Sequence, residues 1–331
     1  MTSAILLEKM TKRYGKNRGV TDLELEVERG CVFGFLGPNG AGKTTTIRVL
    51  LDLIRATSGR ALVFGLDSRR ESMVIRRRCG YLPGELSLYG RLTGDETLRY
   101  FANLRAAADP ASRRALCERL DFDAGKKVAD LSTGNRRKLG LIQALMHRPE
   151  LLILDEPTAG LDPLVQHEFY HLVEEAREAG QTVFLSSHNL PEVQRVCDRV
   201  AFVREGTLVA VEDVAALTGR AVRELDVTFA APVPAAAFEA LEGVTSVTAN
   251  GAGLGPAAGP GAVPAAGAHA LRLTVSGSLD ATIKMLARYE VITMASREPD
   301  LEDIFLTFYG DRLGRDGRSA SAAVEEAGDA A

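Results

Sequence analysis

Apolar and polar positions along the chain alternate in two distinct periods, and the switches between them outline the fold. Residues 4–10 and 21–28 alternate singly. In the second stretch Leu23, Leu25 and Val27 fall on one face and Asp22, Glu24 and Glu26 on the other, as in strands of an antiparallel layer. Cys31 to Leu36 is a continuous apolar run, the signature of a parallel strand buried on both faces. From Thr45 to Ile54 the spacing becomes helical, with Leu50, Leu51 and Ile54 on one side, and Thr57-Ser58-Gly59 reads as a glycine stop. A strand over Ala61–Phe64 follows, then a helix whose end carries Arg76, Arg77 and Arg78, read as a solvated helix end rather than a nucleic-acid patch. Thr93-Gly94-Asp95-Glu96 is a capping box opening a helix through Ala108. Asp109-Pro110 starts another that reaches about Leu120. A further helix after Leu131 has Leu139, Ile142 and Leu145 on one face. Residues of about 85–149 therefore form a helical insert between core strands, which resume at Leu151–Leu154 and Thr182–Ser186.

After residue 218 the pattern changes. Strands are expected at Arg223–Phe229, Val244–Thr248, Leu271–Val275 and Val291–Ser296, with helices at Pro234–Leu241 and Leu279–Arg288. This β-α-β-β-α-β order predicts a small ferredoxin-like α+β domain over 219–310. Within it, 250–269 is rich in Gly, Ala and Pro and is expected to be a flexible loop. A last helix begins at Asp300, and the tail 311–331 is expected to be disordered.

Composition narrows the function. With 40 basic and 44 acidic side chains the net charge is -4, which argues for no nucleic-acid partner. Cys31, Cys79, Cys117 and Cys197 are far apart, as reduced thiols would be. Ala4-Ile5-Leu6-Leu7 is too short for a signal core and ends at Glu8. No apolar run approaches the ~20 residues of a membrane helix, so any spanning part must come from another chain.

The chemistry gathers after the buried strands. Gly37, Pro38, Asn39, Gly40, Ala41, Gly42, Lys43, Thr44 and Thr45 fit G-x-x-x-x-G-K-[ST] between a strand and a helix. Glycines let successive N–H groups curl around a phosphate, and the helix adds its free N–H groups and positive dipole end. Lys43 supplies a mobile charge for the β- and γ-phosphates, and the Thr44 hydroxyl can ligate Mg²⁺. Asp155 and Glu156 follow Leu151–Leu154 at the C-terminal strand edge, where ligands bind in parallel sheets. Asp155 is placed to hold Mg²⁺ and Glu156 to take a proton from water. His188 ends a second core strand at the same edge and reads as a γ-phosphate sensor. Tyr14 is a candidate for stacking on adenine, or else a turn tyrosine packed on its own sheet. Ser132 and Gly134, with Arg136, Arg137 and Lys138, make a second helix start able to accept an anion. His167-Glu168-Phe169-Tyr170-His171 matches a zinc-protease helix, but the surrounding Glu174, Glu175, Arg177 and Glu178 mark a solvated face, and no zinc is expected.

In order, Tyr14, Gly37–Thr45, Leu131-Ser132-Thr133-Gly134-Asn135, Leu151–Glu156, Gly160-Leu161-Asp162 and His188 resemble an ATP-binding-cassette ATPase over residues 4–216. The resemblance implies a P-loop NTPase α/β cassette over 1–218, with a RecA-like core, an antiparallel β layer and a helical insert. It implies ATP and Mg²⁺ as ligands, Thr44 and Asp155 on the metal, Glu156 as general base and His188 on the γ-phosphate. It also implies a head-to-tail dimer in which Ser132 and Gly134 reach the partner's ATP and Asp162 lies at the interface. The segment from Asp300 resembles the extension of drug- and antibiotic-export ATPases, which serve a separate multi-span permease at the cytoplasmic face of the membrane. A soluble switch and an importer ATPase are the alternatives. Two departures stand out: Gly84 occupies the place of a Gln that ligates Mg²⁺ or water, and Thr133 and Asn135 replace Gly and Gln.

Overall fold

The structure, a computed structural model, describes residues 3–15, 17–105, 110–219, 222–250 and 269–297. The expected helix from Asp300, the tail 311–331, residues 251–268 of the loop and the helix end at 106–108 lie outside them. The chain divides into two units, Met1–Val214 and Ala215–Ala331.

In the first unit a six-stranded sheet has the order β10-β9-β3-β8-β7-β6, formed by β3 (Val32–Leu36), β6 (Cys79–Leu82), β7 (Leu151–Asp155), β8 (Thr182–Ser187), β9 (Arg199–Arg204) and β10 (Thr207–Asp213). All neighbours are parallel except β9 and β10. Every residue of β3, β7 and β8 is buried, so their continuous apolar runs are explained by cover on both faces. Phe184 stacks on Phe33 at 6.1 Å and meets Phe35 at 5.4 Å. A second, antiparallel sheet runs β2-β1-β4-β5, from β1 (Ile5–Tyr14), β2 (Asn17–Val27), β4 (Ser58–Val63) and β5 (Leu66–Asp67). Its apolar face joins one core with the six-stranded sheet: Ile5, Leu7, Leu23, Leu25 and Val27 pack in the same cluster as Phe33, Ile153 and Phe184.

Two expected boundaries move. The helix after the glycine loop, α1, spans Lys43–Leu50 and stops well before residue 59. Asp52 turns to φ 50°, and the N–H groups of Leu53 and Ile54 both return to the Arg48 carbonyl. Gly59 is instead the second residue of β4, with φ 75°, and a Cβ there would lie 2.1 Å from the Lys9 carbonyl. Its role is close approach to β1 at a break in register, not a helix stop. Tyr14 is not in a turn between separated strands either: β1 runs on to it and pairs it with Asn17.

Helices α2 (Ser72–Arg78), α5 (Thr133–Leu145), α6 (Pro163–Glu178) and α7 (Leu190–Val196) pack on the strands of the six-stranded sheet, while α3 (Gly94–Arg105) and α4 (Pro110–Arg119) of the insert pack on α5. The capping box forms at α3, where the Thr93 N–H donates to Glu96 and the Glu96 N–H to the Thr93 hydroxyl. A short helix α8 (Val214–Gly219) follows β10.

The second unit has β11 (Val222–Phe229), α9 (Ala236–Glu239), β12 (Val244–Asn250), β13 (His269–Ser276), α10 (Asp280–Leu286) and β14 (Val291–Arg297). Its antiparallel sheet has the order β12-β13-β11-β14, so the β-α-β-β-α-β unit is ferredoxin-like. It has its own core, centred on Phe229, Phe238 and Leu273.

Candidate nucleotide site

The loop between β3 and α1 sits at the C-terminal edge of the parallel strands. Gly40 and Gly42 take φ 82° and 103°, a left-handed backbone that turns the loop into the first helical residue, Lys43. At Gly37 a Cβ would meet the Val203 carbonyl at 2.2 Å, so this glycine is fixed by packing, and its N–H donates to the Ser187 carbonyl at 3.2 Å. Tyr14, Gly19, Asn39, Gly40, Ala41, Gly42, Lys43, Thr44, Thr45 and Glu156 line one cleft of about 230 Å³. Tyr14 is 44 % exposed at its rim. A larger groove on the antiparallel layer, lined by residues such as Glu8, Asp22, Glu24 and Arg60, has neither a glycine loop nor a buried charged side chain.

Lys43 is buried, and its ammonium donates to the Gly37 and Pro38 carbonyls while pairing with Glu156 Oε1 at 3.2 Å. Glu156 Oε2 lies 2.7 Å from His188 Nδ1. One carboxylate thus bridges the loop lysine and the strand-end histidine. Its backbone has φ 51°, a conformation that costs a non-glycine residue roughly 1–3 kcal/mol and persists only where neighbours impose it.

Asp155 is fully buried at the end of β7. The Thr44 hydroxyl donates to its Oδ2 at 2.8 Å and the Ser186 hydroxyl to its Oδ1. Tyr81 lies beside it: burial first, and then the Asp155 charge, push its phenol up to about 12, so it stays protonated. Opposite Asp155, a Cβ on Gly84 would lie 3.1 Å from Oδ2, leaving little room for a larger side chain in this conformation.

Ser132, Gly134 and Asp162 do not line the cleft. Ser132 caps α5 by accepting the Asn135 N–H at 3.2 Å, and Asp162 caps α6 by accepting the Val165 N–H at 3.0 Å. A Cβ on Gly134 would meet the Gly160 carbonyl at 2.9 Å, so these two loops are in close approach. The cations after Ser132 do not face an anion as a group. Arg136 donates to the Ala129 carbonyl, Lys138 to that of Asp121, and Arg137 is buried among main-chain carbonyls beside Asp155.

Arg137, read from sequence as one of three helix-start cations, and Glu192, which no motif marks, are the residues whose placement the sequence reading misses. Glu192 on α7 is buried and accepts the Ser187 hydroxyl at 2.6 Å, immediately before His188. Helical spacing carries a signal for Arg137, which lies three and four residues before the buried Gly140 and Leu141. His167 and His171 do meet, edge to face with ring centroids 4.5 Å apart, yet no cluster of three metal-binding side chains occurs among the described residues.

The family model described as ABC transporter matches residues 20–159. A daunorubicin resistance ATP-binding protein, DrrA3, of Streptomyces coeruleorubidus is 35% identical over 322 residues, covering 93% of this chain and 96% of that one. The probable multidrug ABC transporter ATP-binding protein YbhF of Escherichia coli (strain K12) is 38% identical over 213 residues, 63% of this chain but only 37% of its own length. A solved ATP-binding subunit of an ABC transporter superposes with a TM-score of 0.61 at 27% identity, over 65% of this chain and 92% of that one. With a relative matched almost end to end and a glycine loop, paired acids and histidine at one sheet edge, this chain belongs to the ABC transporter family.

Proposed function

We propose that the chain drives export of a drug, an antibiotic or another small hydrophobic molecule, by hydrolysing ATP beneath a separate multi-span permease on the cytoplasmic face of the membrane. The observation that carries the chemical part is the Lys43–Glu156–His188 chain of contacts at the glycine loop. The export part is supported by the near full-length match to a daunorubicin resistance protein, which extends through the second unit. No helix among the described residues is long and apolar enough to cross a membrane, in keeping with a separate permease.

The roles follow from position. The loop N–H groups and the start of α1 hold the phosphates, and Tyr14 at the rim receives the base. Thr44 and Asp155 offer hard oxygen donors side by side, a set that fits Mg²⁺ once phosphates and water complete its shell. Held by Thr44 and Asp155, such an ion would supply positive charge against that developing on the phosphate oxygens. Lys43 exchanges its contact with Glu156 for the phosphates, which releases Oε1 to accept a proton from water. His188 orients Glu156 through the other oxygen and can follow the γ-phosphate. Ser132 and Gly134 complete the site of a second, head-to-tail protomer, with Asp162 at the interface; in this reading Gly84 cedes the metal contact of the usual Gln.

Glu156→Gln tests the chemistry. Turnover should fall ~10²–10⁴-fold, the usual contribution of a general base, with ATP binding retained and an ATP-dependent dimer visible by size-exclusion chromatography. Near-normal turnover would refute the role of Glu156. Affinity purification from detergent-solubilised membranes tests the export setting: a stoichiometric multi-span chain supports it, and recovery with ribosomes alone would sink it.

A further inference from the structure

Arg137 is 4% exposed, in the second turn of α5, yet none of its hydrogens goes to a carboxylate. A guanidinium has five N–H donors. All five are used on main-chain carbonyls: Nε donates to Pro157 at 3.2 Å, Nη1 to Pro83 at 2.7 Å and Gly84 at 3.0 Å, and Nη2 to Asp155 at 2.5 Å and to Glu156. These carbonyls come from two segments. One is the stretch at Gly84 that leads into the helical insert. The other is three consecutive residues across the bend that carries Asp155 and Glu156.

From this geometry we infer that Arg137 is a positioning residue for ATP hydrolysis: it clamps the Gly84 segment to the backbone of Asp155, Glu156 and Pro157 and so ties the insert to the general base. Three points carry it. Glu156 sits in a left-handed backbone that needs to be imposed, and Arg137 grips the carbonyl on either side of it as well as its own. Gly84 has no side chain with which to reach Asp155, so the guanidinium supplies the link between those segments. Finally, α5 begins at Ser132, so any displacement of that helix start is passed through one rigid, planar group to the catalytic carboxylate. Burial lowers the affinity of this guanidinium for its proton, but the nearby Asp155 and Glu156 charges oppose that shift. Lysine cannot replace it, since three donors on one nitrogen cannot span both segments.

The inference rests on the ATPase reading above, and the test separates the two. Steady-state ATP hydrolysis is compared for the full chain, Arg137→Lys, Arg137→Gln, Glu156→Gln and the double variant Arg137→Lys/Glu156→Gln. The wild type should turn over and Glu156→Gln should fall ~10²–10⁴-fold to a residual but measurable rate; failure of either condemns the ATPase reading itself. Given both, Arg137→Lys and Arg137→Gln should each lose about 10–100-fold in kcat, the size expected of a base misplaced by about 1 Å, with KM for ATP within about threefold. In the Glu156→Gln background the Arg137→Lys loss should vanish, because there is no longer a base to misplace. Should Arg137→Gln fail to fold, Arg137→Lys, which keeps the charge, still decides. A wild-type kcat in Arg137→Lys, a loss confined to KM, or an undiminished loss in the double variant would overturn the inference.

Discussion

The two units of this chain bury their polar groups very differently. Of the first unit's five buried charged side chains among the described residues, Lys43, Arg137, Asp155 and Glu192 lie at or behind one edge of its parallel sheet, beside Ser186 and Ser187. Lys138 is buried against the Asp121 carbonyl, and hydroxyls such as those of Thr11, Ser68, Thr97 and Thr182 are buried elsewhere. In the second, the buried polar side chain among the described residues is Thr282, and the Asp226–Arg272 ion pair is only half-buried. Burying charge is costly unless every donor and acceptor is met. A core that needs only stability is built as in the second unit, from Phe229, Phe238, Leu271, Leu273 and Val275. Charge burial gathered at one edge therefore marks where free energy has been given up for chemistry. The second unit shows no such concentration among its described residues.

The strongest way to break that comparison is to damage the plain core. Phe238 is fully buried and packs against Phe229 at 6.1 Å and Tyr289 at 5.9 Å. Phe238→Ala should destabilise the second unit by about 3–5 kcal/mol, the usual cost of emptying a buried aromatic site. Basal ATP turnover should persist, with the loss seen as a lower denaturant midpoint. If turnover disappeared in step with the second unit, its core would be part of the catalytic machinery and the contrast would fail.

A smaller effect sharpens the other side. In the proposed role of Lys43, Lys43→Met removes a charge-assisted contact to phosphate, which should weaken ATP binding by about 1.5–3 kcal/mol, roughly 10–100-fold. Titration with a fluorescent ATP analogue measures it. Unchanged affinity would mean that the ammonium stays with the Gly37 and Pro38 carbonyls and Glu156 when nucleotide binds.

Local rules made much of this legible in the sequence. The glycine loop and the run Leu151–Leu154 with its two acids each carry their chemistry within a few residues, and the structure brings Lys43, Thr44, Asp155, Glu156 and His188 to one edge as expected. The capping box at Thr93 was equally readable because its reciprocal bonds are local. What escaped is long-range. Gly59 looks like a helix stop until the Lys9 carbonyl is found against it. Arg137 looks like one of three cations at a helix start, because the carbonyls that use up its donors are 18 to 54 positions away. Sequence spacing shows that such a side chain is on the buried face, but not what meets it there.

Glu192 offers the finest test of polar burial at the site edge. Burial, the largest influence, raises its pKa. The Ser187 and Thr158 hydroxyls favour the charged form, the Glu156 charge opposes it, and His188 favours it again. Among the described residues Oε1 accepts no hydrogen bond of good geometry, so ionising this carboxyl is poorly compensated. With its pKa higher in the folded than in the unfolded chain, the folded state holds more protons above the ordinary glutamate range. The contribution of Glu192 is therefore fully present below that range, and it declines as pH rises through the folded pKa. Glutamine keeps an acceptor for Ser187 and never ionises. Glu192→Gln should thus melt close to the wild type near pH 4 and increasingly above it toward pH 8, in paired melting curves across that interval. A difference that stayed flat with pH would mean that the carboxyl behind His188 ionises as freely folded as unfolded, and that this edge buries its acids without penalty.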